Sequence, residues 1–176
     1  FIGSQVGGLT QPTAVVVRTV PSDFLINAGL NDAWFNPATV GQGFLISVFP
    51  DIEQVFLAWF TYDVERPPAD VTAILGEPGH RWLTAQGPYE GNTADLTIFL
   101  TQGGVFDSAD PPATTDPAGD GAIKLEFADC EGGFVDYSIT SLGLAGKIPI
   151  ERIANDNVPL CEMLSAGEVA EETADG

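Results

Sequence analysis

The sequence predicts an all-β domain: an antiparallel meander of about eight strands, closed as a small barrel or folded as a sandwich, with an extra strand near the N-terminus. Three observations predict it. Short runs rich in Val, Ile, Phe, Trp and Thr recur along the chain, bounded by Gly, Pro and Asn. Several of them alternate apolar and polar residues with period two. No long stretch repeats apolar residues at helical spacing.

The first run is Thr13-Ala14-Val15-Val16-Val17-Arg18-Thr19-Val20, a β-branched segment between Pro12 and Pro21. It follows a Gly- and Ser-bearing leader and stands apart from what comes after. The division expected is an N-terminal extension over 1–23, a β-domain over 24–164 and an acidic, solvated tail over 165–176. Ala33–Asp63 organises the β-domain, with two of the three tryptophans and five of the eleven phenylalanines. Ala33-Trp34-Phe35 opens a strand that Asn36-Pro37 ends. Phe44–Phe49 follows as a strand, with Phe44, Ile46 and Val48 on one face. Gln54–Tyr62 is apolar on both faces, which predicts the centre of a sheet.

The prolines between Val64 and Pro78 predict a long loop. His80–Gly87 resumes the sheet, and Thr93–Gln102 alternates with Leu96, Ile98 and Leu100 on one side. Asp107–Gly121 is rich in Pro and Asp and reads as a surface loop. Ala122–Asp129 and Phe134–Thr140 predict a hairpin around Glu131-Gly132-Gly133, and Lys147–Ile153 is the last strand. Val158–Leu164 then returns to bring Cys161 toward Cys130.

Composition bounds the function. With 44% hydrophobic and 10% aromatic residues, the chain can bury a core. Its 25 acidic residues against six Lys and Arg give a net charge of −19, which repels nucleic-acid phosphates and anionic lipid. No apolar run approaches the roughly 20 residues that span a bilayer. Neither nucleic acid nor membrane insertion is expected. Two cysteines, Cys130 and Cys161, and few basic residues fit a secreted or cell-surface protein with one disulfide. The chain opens at Phe1 and reads as a processed one.

The residues AWFNPATVGQGF, VFLAWFTYD and GHRWLTAQG, followed by TQGGVFD, the cysteine of FADC and GKIPIERI, resemble a β-domain of secreted Gram-negative bacterial proteins. The resemblance covers about Asn27 to Leu164. It implies an exported β-domain and brings no activity with it.

The leading functional expectation is an extracellular structural protein that polymerises into a filament with itself. Thr13–Val20 would serve as the assembly strand, paired with the edge of a neighbouring subunit. The plainer alternative is that this strand pairs within its own domain. A second expectation is a polysaccharide-binding module that stacks sugars on Trp34, Trp82 and Tyr89, against which stands ordinary burial of these rings. A secreted hydrolase is the weakest. His80 is the only histidine, no Gly-x-Ser-x-Gly is present, and no catalytic residue is assigned. No cofactor is expected except calcium, for which Asp107, Asp110, Asp116 and Asp120 crowd one loop without EF-hand spacing.

Overall fold

The computed structural model describes residues 24–76 and 78–172. They form ten strands and one helix: β1 (Asp32–Phe35), β2 (Gly43–Phe49), β3 (Gln54–Tyr62), β4 (His80–Glu90), β5 (Thr93–Phe99), β6 (Thr101–Gln102), β7 (Thr114–Thr115), β8 (Gly121–Phe127), β9 (Gly132–Ile139), β10 (Leu144–Arg152) and α1 (Val158–Glu172). Eight strands close a barrel in the order β1-β2-β3-β4-β5-β8-β9-β10. Every neighbouring pair is antiparallel, so the predicted meander is a barrel and not a sandwich. β6 and β7 pair separately, as a short ribbon within the β5–β8 connection.

Period-two alternation decides which side chains fill the barrel. On β5, Ala94, Leu96 and Ile98 are buried while Asp95 and Thr97 point away from the core. On β8, Ile123, Leu125 and Phe127 are buried, with Lys124 and Glu126 on the outer side. The interior is occupied by rings. Trp34 packs on Phe127 with centroids 5.1 Å apart, and Trp59 lies between Phe44 (5.2 Å) and Tyr137 (5.1 Å). Rings of this size at this spacing bury 150–250 Å² each, the largest apolar contribution a small barrel can gather.

The two ends of the barrel differ. At one end a short 3-10 turn (Ala28–Leu30) packs against β2 and against α1. The Cys130–Cys161 disulfide ties α1 to the β8–β9 turn. Arg152 is buried there and fully bonded: it donates to Asp32, to the carbonyl of Cys130 and to the carbonyl of Gly29. Its guanidinium also lies 4.6 Å from the centroid of the Trp34 ring. The other end carries the long connections 63–79 and 100–120, with the shorter ones at 36–42 and 140–143.

Two expectations are corrected. β3 is not the centre of an open sheet. Only one of its faces, Val55, Leu57 and Trp59, is buried, because a closed barrel gives every strand two neighbours and one solvent side. The return through Cys161 is a helix where no long helix was expected, and α1 runs on to Glu172. Asn155-Asp156-Asn157 followed by Val158-Pro159 is a helix-start pattern, with proline in the first turn. The expected flexible leader and the strand Thr13–Val20 lie outside the described residues.

Candidate functional site

The loop-bearing end of the barrel is the candidate site, and its geometry follows from where β5 stops. β5 ends at Phe99, opposite Thr84 of β4. From Leu83 back to Arg81, β4 is in register with β3 alone among the described residues. The chain leaves the barrel at this point as the β6–β7 ribbon, so the ladder is interrupted on one side of β4.

Which backbone groups face that gap follows from the register. The Asp63 N–H donates to the Gly79 carbonyl at 2.7 Å, which makes those two residues a hydrogen-bonded pair. Hydrogen-bonded and non-bonded pairs alternate in an antiparallel ladder. Arg81 and Leu83 therefore bond to β3, and the N–H and C=O of Trp82 point the other way. Trp82 sits at an open stretch of sheet edge.

The side chains there are apolar and solvent-facing. Trp82 is 55% exposed, and Phe60, directly opposite it on β3, is 48% exposed. Leu45 and Tyr62 extend the same outer face and are also exposed. Tyr62 stacks on His80 with centroids 5.5 Å apart. Val40, Val64, Ile74, Leu75, Val105 and Phe106 are exposed on the surrounding loops. The closed end has fewer such residues: Phe49, Ile52, Ile153, Leu160 and Met163. Leu45, Phe60, Tyr62 and Trp82 are neighbours on one outer face, which makes that face the candidate contact surface.

Charge and shape complete the site. Arg81 pairs with Asp63, both of them partly exposed, so the pair itself adds little stability. A hollow of about 520 Å³ beside it is lined by Tyr62, Glu65, Arg66, Pro67, Pro78 and Gly79. Gly41 approaches from the 36–42 loop with φ of +78°, and its missing side chain leaves room for the Tyr62 hydroxyl. Gly41 of the Gly41-Gln42-Gly43 run thus supplies turn geometry at this end of the barrel.

The residues singled out in the sequence fare differently. Trp34 is corrected: it is fully buried, and its indole N–H donates to the Leu30 carbonyl at 3.1 Å, so it offers no face to a sugar. Tyr89 is half-buried against the core near the closed end. Seven residues of strand separate it from Trp82, roughly 23 Å. The three rings do not form one platform. Cys130 and Cys161 are joined as expected. Asp107, Asp110, Asp116 and Asp120 are spread along the surface loop, where Asp116 caps the Ala118 N–H and Asp120 accepts from Ser141. Among the described residues, no three His, Cys, Asp or Glu side chains gather as a metal-holding group.

Tyr62 was a stacking candidate in the sequence, but Phe60 and the edge at Trp82 were not picked out. The available signal was that β3 is apolar at Phe56, Ala58 and Phe60 as well as on its buried face. No protein-family model, curated protein or solved structure matches this chain.

Proposed function

We propose that this chain is a structural subunit of an extracellular polymer, joined head to tail through its N-terminal segment. One observation carries the reading. The described chain joins the barrel at the closed end, where the Ile26 N–H donates to the Gly91 carbonyl, and 23 residues precede Phe24. Most of the exposed large apolar side chains lie at the opposite end. A donor at one end and an apolar acceptor at the other make a heterologous contact, which propagates unless its rotation closes a ring. The disulfide and the strongly acidic composition suit a secreted or cell-surface setting. The test is the size of the full, oxidised chain as its concentration rises. Growth into elongated particles supports the reading, and a single monomeric species throughout contradicts it.

A second reading rests on the exposed Trp82–Phe60 pair beside the Asp63–Arg81 ion pair. Flat rings flanked by hydrogen-bonding charges suit a sugar, so the protein would bind polysaccharide as a monomer. Titrating the full chain with soluble polysaccharides while following tryptophan fluorescence tests it. A saturable shift that Trp82→Phe removes supports this reading, and no shift with any of them counts against it.

A further inference from the structure

We propose that the open edge of β4 at Trp82 is the acceptor for Thr13–Val20 of a neighbouring copy, which adds to the barrel as an extra strand; this rests on the head-to-tail reading above.

The acceptor is defined by backbone chemistry. β4 runs past the end of β5 by four residues, and the N–H and C=O of Trp82 face the uncovered side. Unpaired edge groups template strand addition, in which main-chain bonds give affinity and side-chain pockets give register. Phe60 and Trp82 cover the outer face of that edge with apolar surface. Pro78 and Gly79, which line the neighbouring hollow, lie just beyond it along the chain.

The occupant is argued from the chain itself. Thr13–Val20 is a β-branched run, bounded by prolines that end strands, and it lies only three residues before Phe24. Arg18 is its one charge, opposite in sign to the chain's net −19. Distance favours a neighbour over the same molecule. Ile26 is fixed at Gly91, nine residues along β4 from Trp82, or roughly 30 Å. To reach its own edge the chain must run fully extended up the outer wall, since each residue spans at most about 3.3–3.6 Å. Val20 would then arrive beside Ala85 and Val17 beside Trp82 only with no slack, after residues 20–25 had crossed the stretch where β5 already fills the edge. Stacking one closed end on the next loop-bearing end removes that constraint.

The test uses two full-length variants. Trp82→Pro deletes the N–H on the open side while sparing the bonds to β3. Val15→Pro with Val16→Pro disables the donor, because adjacent residues of a strand point their N–H groups to opposite sides. The wild-type chain should polymerise, each variant alone should stay monomeric, and an equal mixture of the two should stop at dimers. Such a dimer joins the intact donor of one to the intact acceptor of the other. Wild-type polymers with polymerising Trp82→Pro, or a mixture that stays monomeric, would place the acceptor elsewhere and leave head-to-tail assembly standing. A wild-type chain that never assembles overturns both. Should Trp82→Pro lose its fold, amide exchange decides instead. The Trp82 N–H should exchange at least tenfold more slowly in wild-type polymer than in the double-proline monomer, and equal rates overturn the assignment.

Discussion

Arg152, the last residue of β10, donates to Asp32, the first residue of β1, across 2.6 Å at the closed end of the barrel. Its side chain is fully buried and that of Asp32 nearly so. The pair joins the first and last strands where the ladder is shortest, since β1 and β10 register only at Trp34–Arg152 and Phe35–Glu151. Removing one partner of a buried pair leaves the other charge without its counter-ion, at a cost of about 3–5 kcal/mol. Asp32→Ala should therefore lower the unfolding free energy by about 3 kcal/mol in urea denaturation. A loss under 1 kcal/mol would mean that the two remaining carbonyl acceptors suffice.

The disulfide closes a loop with a sequence separation of 31. On the chain-entropy account, that constraint removes roughly 3–4 kcal/mol of freedom from the unfolded chain. Replacing Cys130 and Cys161 together by serine should lower stability by about that amount, measured by thermal or chemical denaturation. The loss should appear first as proteolysis within α1, because the bond anchors the helix to the barrel.

Gly29 tests how α1 sits on the barrel. A methyl group at this position would overlap the backbone of Cys161. Gly29→Ala should thus cost about 1–3 kcal/mol through overpacking, despite removing a flexible residue. The matching control is Gly143→Ala. No atom would crowd the new methyl there, and with φ of +61° the cost is backbone strain alone, about 1 kcal/mol.

At the loop-bearing end the prediction is the reverse. Trp82→Ala should change stability by less than about 1 kcal/mol, because the ring is more than half exposed. The same change should weaken assembly by at least tenfold in critical concentration, read by sedimentation of the polymer. Loss of stability without loss of assembly would assign the ring a packing role.

The alternating strands were legible because one face of each meets a core. Leu96 and Ile98, or Ile123, Leu125 and Phe127, announce their direction by period alone. Trp34 was not legible. Its strand has four residues, too few to carry a pattern, and its burial depends on Leu30 and Phe127 from elsewhere in the chain. Helix α1 was missed because Val158-Pro159-Leu160-Cys161 is also a plausible extended run, and the Asn-rich start before it reads equally as the end of a strand. The open edge at Trp82 could not be read at all. It exists because β5 stops at Phe99 while β4 continues, a mismatch between two strands that local sequence does not encode. Barrel closure likewise depends on the β1–β10 seam, set by residues 120 apart.

The central claim is head-to-tail assembly, and the molar mass of the full oxidised chain by light scattering across a concentration series tests it most directly. The account predicts masses that rise with concentration to many multiples of 18.5 kDa, in elongated particles. A constant mass of 18.5 kDa at every concentration would contradict it.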